Sequence, residues 1–167
     1  MDNSIEIRIN SYDKNEIKKA LSFYILKVRE MNVYFWIVYT VISMAVVLSL
    51  IFSQHAPLSI IFLACGFTFH FFYYIRPINW YKEYYEKAKN IVCKFNRDCL
   101  EMANETTRST SSWKAFKKAF EIPSAFLLLD ENKFIYVFLK CHFANSSEIE
   151  KIRALLSENI LHFKVYK

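Results

Sequence analysis

The chain has 167 residues, a formal net charge of +6, 54% hydrophobic residues and a single Gly. One glycine excludes the Gly-rich phosphate loops and dinucleotide fingerprints, where glycines let the backbone approach a pyrophosphate. The start, MDNSIEIRIN, is polar and lacks the basic segment and apolar core of a cleavable signal. The first hydrophobic helix is therefore expected to act as the insertion signal.

In chain order, Ile5, Ile7 and Ile9 alternate with Glu6, Arg8 and Asn10, the period of a strand with one buried face. Asp13 followed by Glu16 has the form of a capping box, and Ile17, Ala20, Leu21, Tyr24, Ile25 and Val28 then recur at helical spacing. This predicts an amphipathic helix over about 14–31, with Lys19, Lys27 and Glu30 on its polar side. It could cover a sheet or lie along headgroups.

Residues 33–75 contain no Asp, Glu, Lys or Arg. A bilayer core about 30 Å thick takes roughly 20 apolar residues per helix. The gap is therefore read as a transmembrane helical hairpin, with spans over about 33–53 and 57–75 and a turn at 53–57. Ser43 and Ala45 in the first helix, and Ala64 and Gly66 in the second, fall at similar depth, where small residues allow close helix packing. Tyr34 and Trp36, with Phe71, Phe72, Tyr73, Tyr74 and Trp80, would form an aromatic belt. Lys27 and Arg29 precede the hairpin and Arg76, Lys82, Lys87, Lys89, Lys94 and Arg97 follow it, while the turn has no basic residue. Positive charge stays inside, which places both termini in the cytoplasm.

A basic juxtamembrane helix is expected from Trp80 to about Lys89, followed by strands over 91–95, 99–102, 125–129 and 134–139. Asp130-Glu131-Asn132-Lys133 reads as a hairpin turn. Trp113, Phe116 and Phe120 are spaced for a short helical turn, with Lys114, Lys117 and Lys118 opposite. Ser147 and Glu150 offer a capping box for a terminal helix whose apolar face is Ile149, Ile152, Leu155, Leu156 and Ile160. The tail LHFKVYK has alternating character that could add a strand.

The domain reading is 1–32 strand and amphipathic helix, 33–75 membrane hairpin, 76–97 basic helix and first strand, and 98–167 a small sheet domain with a C-terminal helix. This order of elements resembles the YcxB-like family of small bacterial membrane proteins. Ser112-Trp113 followed by Lys117 and Lys118 is similar to that family's Ser-Trp segment. Leu139-Lys140-Cys141-His142-Phe143 stands where the family tends to have Pro-Lys-Arg-Ala-Phe, with Leu139, Cys141 and His142 departing from it. The resemblance implies an α+β membrane protein with a small antiparallel-sheet cytosolic domain like a pleckstrin-homology (PH-like) sheet capped by a helix. It also implies that the Ile5–Ile9 strand joins the sheet formed after residue 90, and it brings no established enzymatic role.

Candidate sites are sparse. Cys65, Cys93, Cys99 and Cys141 show no C-x-x-C pair and no metal spacing with His55, His70, His142 or His162, so no metal or other cofactor is expected. His70 is a titratable group inside the second span, with no charged partner there. Asp130 with Glu131, and Glu148 with Glu150, are the nearest approach to acid–base pairs, and both occupy turn or cap positions. Trp113, Lys114, Lys117, Lys118 and Lys140 are the candidate binding residues for a headgroup or an acidic protein, and nucleic acid is not an expected partner.

The expected function is a non-enzymatic, membrane-anchored interaction module at the cytoplasmic face of the bacterial inner membrane, multi-pass, binding a protein or lipid headgroup. The alternative is an immunity protein neutralising a secreted antibacterial toxin at that membrane. The lipid bilayer and a protein, for which a toxin is one candidate, are the expected partners, and homo-oligomerisation is left open. A channel subunit and an acid–base enzyme using His142, Asp130 and Glu131 are the remaining readings.

Overall fold

The computed structural model describes residues 4–28, 31–51 and 56–166. Residues 53–55 of the expected turn, His55 included, and the flanking Arg29 and Glu30 lie outside the described residues, as do the side chains of Trp36 and Tyr73. The chain divides into two compact units, residues 1–20 with 84–167, and residues 21–83.

The first unit carries two four-stranded sheets. In the first sheet the alternating isoleucines become β1 (Ile5–Ile9), with Ile5, Ile7 and Ile9 buried and Glu6 and Arg8 exposed. β1 pairs antiparallel with β2 (Ile91–Phe95), which pairs with β3 (Cys99–Ala103), and β3 with β4 (Arg108–Ser112). The β3–β4 reversal is set by Asn104, whose side-chain oxygen accepts the N–H groups of Thr106 (3.0 Å) and Thr107 (2.7 Å).

The second sheet has the order β7-β6-β5-β8. β5 (Phe116–Glu121), β6 (Ala125–Asp130) and β7 (Ile135–Leu139) are antiparallel, and β8 (Phe163–Val165) lies parallel to β5. At the β6–β7 turn the Asp130 carboxylate accepts the Phe134 N–H at 2.8 Å, and Lys133 takes a left-handed φ of 64°. Asn90 is left-handed too, at φ 53°. With one Gly in the chain, these positions fall to residues that carry a Cβ and bear its steric cost.

Aromatic residues join the inner faces of the sheets: Phe95 on β2 meets Phe138 on β7 edge-to-face at 5.1 Å, and Phe143 packs between Phe95 and Phe126. α5 (Ser146–Asn159) buries Ile152 and Leu156. Its cap lies two residues before the expected one: the Asn145 side chain accepts the Glu148 N–H, and the Glu148 carboxylate accepts the Ala144 N–H. The expected Asp13 cap is present, accepting N–H groups of Asn15 and Glu16 at the start of α1 (Lys14–Phe23).

The second unit holds α2 (Met31–Ile51) and α3 (Ala56–His70), which pack on each other. π-helical turns at Tyr24–Val28 and Phe71–Ile75 precede and follow the pair, and the second leads into α4 (Arg76–Lys87). Among the described residues no helix is long and apolar enough to cross a membrane. That overturns the transmembrane hairpin, the membrane class of the fold and the multi-pass inner-membrane location expected from sequence. The physical reason lies in what an uncharged stretch measures. The 15 residues of α3 rise about 22 Å, short of a core about 30 Å thick, and the charge-free run continues into a π-turn instead. In place of a hairpin with one small antiparallel sheet, the structure is α+β with two sheets, one containing a parallel pair.

β7 is an edge strand whose outward backbone groups are closed by side chains. The Tyr85 hydroxyl donates to the Ile135 carbonyl (2.6 Å) and accepts the Val137 N–H (2.9 Å), while the Tyr12 hydroxyl donates to the Val137 carbonyl (3.0 Å). Both tyrosines are buried and their rings touch at 4.8 Å. Tyr85→Phe removes one acceptor and one donor at once and is expected to lower unfolding stability by about 2 kcal/mol, with Tyr12→Phe costing about 1 kcal/mol. Denaturant unfolding of both variants checks the order, and equal or negligible losses would refute the capping role.

Candidate functional site

The predicted binding residues do not form one surface. Trp113 opens a single 3-10 turn, Trp113–Ala115, and is only 3% exposed. Its indole N–H donates to the Asn96 carbonyl at 3.1 Å, and its ring stacks near Phe95 and Phe116. It is a core residue. The expected helical turn ends there, because Phe116–Glu121 continues as β5. A strand alternates faces where a helix would have gathered the lysines on one side, and a register shift between Phe116 and Lys118 leaves both Lys117 and Lys118 exposed. Lys117 pairs with Glu131 at 2.6 Å on the surface. Lys114 is exposed, its backbone N–H bonded to the Ser112 hydroxyl.

Lys140 belongs to a different constellation. Its ammonium bonds the Glu121 carboxylate at 2.8 Å and lies 5.4 Å from the centre of the Phe126 ring. The same carboxylate receives Arg153 Nε at 2.6 Å and Nη2 at 2.7 Å, a two-pronged guanidinium contact. Glu121 is 2% exposed, the buried charged side chain among the described residues. The Arg153 guanidinium, then the Lys140 ammonium, hold its carboxyl below the ordinary 4.5 against the opposing effect of burial. The triad ties β5 to α5 and to the 3-10 turn Lys140–His142 that follows β7. Sequence reading missed Glu121, although a lone acid inside the otherwise apolar AFEI run was the available signal.

The acid–base candidates are dispersed. Asp130 and Glu131 serve the turn and the Lys117 pair, and Glu148 serves the α5 cap. His142 packs edge-on to Tyr12 at 5.4 Å. Burial holds its pKa below the ordinary value despite a hydrogen bond with the Ser11 backbone, and its Nδ1 is enclosed with no hydrogen-bond partner. The Cys93 thiol is pushed up to about 12 by burial, away from nucleophilic use. No group of three or more His, Cys, Asp or Glu among the described residues could hold a metal. A cavity of about 60 Å³ is lined by Tyr12, Tyr84, Tyr85, Tyr136, Cys93 and Met102, among others. It admits a few waters, far below the roughly 150 Å³ that takes a benzene ring.

In the second unit, a Cβ on Gly66 would stand 2.6 Å from Ile42 Cδ1, so the glycine marks a close approach of α3 to α2. Ala45 is half-buried, while Ser43 and Ala64 are exposed and lie outside that contact. The larger feature is apolar surface. On α2, Ile37, Val41, Met44 and Leu48 are 51–61% exposed, and on α3, Ile60 and Phe67 are each 69% exposed. Their spacing of four and three residues, with Ala64 completing the α3 row, is the repeat by which helices pack along a seam.

These features define an α+β chain of two sheets and an apolar helix pair. No family model, curated protein or solved structure matches it.

Glu121→Gln is expected to cost about 2 kcal/mol at pH 7, because it leaves two cations around a neutral group, one of them half-exposed. A carboxyl held below its ordinary value stabilises above about pH 4.5 and loses that stabilisation as pH falls through the folded-state value. The variant should therefore be less pH-sensitive than the parent between pH 5 and pH 3 in denaturant titrations. By contrast, the double variant Lys114→Ala, Lys118→Ala should unfold within about 0.5 kcal/mol of the parent, and a larger loss would assign those lysines a structural contact.

Proposed function

We propose that the protein is a non-enzymatic interaction module, and that the α2–α3 pair is the surface by which it engages a protein partner. The exposed rows on the two helices carry this reading. At roughly 100 Å² apiece, the six large side chains present about 600 Å², the upper end of what a monomer leaves in contact with water. Covering such rows releases ordered water from apolar surface and drives association. Helices supplied by a partner fit the seam spacing of either row, and Gly66 marks where α3 closely approaches α2. In the first unit the polar candidate residues serve ion pairs, turns and caps.

The test is recovery of a partner after cross-linking in the native cell, with the full chain and a Met44→Glu, Phe67→Glu variant compared side by side. Both positions are exposed, so the variant should keep its unfolding transition. One protein recovered in stoichiometric amount with the parent, and reduced at least tenfold with the variant, supports the reading. Equal recovery with both chains, or recovery of lipid with no protein, overturns it.

A further inference from the structure

We infer that the outer edge of β4 is a docking site for an extended acidic segment of another polypeptide, which adds to the first sheet as a fifth strand. β4 belongs to the first unit and the α2–α3 pair to the second, and neither reading depends on the other.

Backbone register shows the edge to be open. The Asn104 N–H to Thr107 carbonyl bond of 2.9 Å closes the β3–β4 hairpin, and the two strands pair Met102 with Ser109 and Leu100 with Ser111. Hydrogen-bonded and non-bonded pairs alternate along an antiparallel ladder. Counting from the closing bond, Ser109 and Ser111 exchange bonds with β3, while Arg108 and Thr110 turn their N–H and C=O groups away from it. Among the described residues no backbone or side-chain group meets those outward groups. β4 contains no Pro, its register with β3 is unbroken, and Arg108 is its one charged residue. On the second sheet the comparable groups of β7 are closed by Tyr12 and Tyr85, and β8 is only three residues long.

Charge selects the occupant. Across the exposed face of the first sheet, Glu6 lies opposite Lys94, Lys94 opposite Glu101, and Glu101 bonds Arg108 at 2.8 Å. Signs alternate from strand to strand, and the row ends on a cation at β4. The opposite edge, β1, presents both Glu6 and Arg8, which pair with each other. Lys114, also exposed, follows in the 3-10 turn after β4, so a second cation lies two residues beyond the strand. A strand with a carboxylate opposite Arg108 would continue the alternation, and a second carboxylate toward Lys114 would add to it, with backbone bonds supplying affinity and the carboxylates selectivity. A second copy of the chain would instead bring Ser112 opposite Arg108 and add two more cations.

The test uses the full chain, labelled for backbone amide resonances, and an acetylated, amidated peptide EVTVTVE, whose glutamates lie six residues apart on one face. Millimolar peptide is expected to shift the amides of Arg108 to Ser112, with binding at least tenfold weaker for KVTVTVK and weakened by salt. Thr110→Pro should retain the fold, because its N–H is outside the ladder, and lose the binding. Should that variant unfold, Arg108→Glu supplies the second arm and is expected to reverse the preference toward the lysine peptide. The Met44→Glu, Phe67→Glu variant should bind the acidic peptide as the parent does. Absence of β4 shifts at saturation, equal binding of both peptides, or β4 shifts that follow protein concentration without peptide would each overturn the inference, the last by naming a second copy as the occupant.

Discussion

The carboxylate of Glu121 is the junction on which the two-sheet unit depends. It stands at the end of β5 in an otherwise apolar interior, and two cations from separate elements converge on it. Three successive segments of the second sheet's half of the chain are thereby held at one point, and the backbone there is anchored as well: the Glu121 carbonyl accepts the Tyr166 N–H at 2.8 Å, and the Ser124 carbonyl accepts the Lys140 N–H at 2.8 Å. A buried charge with fewer partners would cost more in desolvation than it returned. The two-pronged contact from Arg153 and the partial exposure of both cations keep the balance favourable.

Edges are the second constraint. Two open sheets have four edge strands, and every outward N–H or C=O must meet water, a side chain or another chain. The protein closes β7 with the hydroxyls of two buried tyrosines from outside the sheet, Tyr12 before α1 and Tyr85 in α4. That arrangement accounts for their burial with polar tips. It also gives α4 a structural part that its basic character did not suggest, since Tyr85 lies on the side of the helix away from its exposed charges. Among the described residues β4 has no comparable closure, and its run of hydroxyls after Arg108 distinguishes it from the rest of the sheet.

Candidate residues changed meaning once folded. Lysines grouped by nearness in sequence separated into an internal bridge (Lys140), a surface pair (Lys117) and two exposed residues (Lys114 and Lys118), because β5 is a strand and not a helical turn. Trp113, read as a binding aromatic, proved to be core through contacts with Phe95 and Asn96 that sequence distance conceals. The long uncharged stretch marked two packed apolar helices, yet its length in residues did not measure regular helix.

Local patterning was enough to determine β1 from its alternating isoleucines, the Asp13 cap of α1, the strands around Asp130 and the apolar face of α5, since each depends on side chains within a few residues of one another. The pairing of β1 with the sheet after residue 90, which the resemblance implied, is present, whereas its exact register, the convergence on Glu121, the tyrosine closure of β7 and the outward backbone groups of β4 were decided by tertiary structure alone. Those features depend on which distant groups meet, and periodicity carries no information about that.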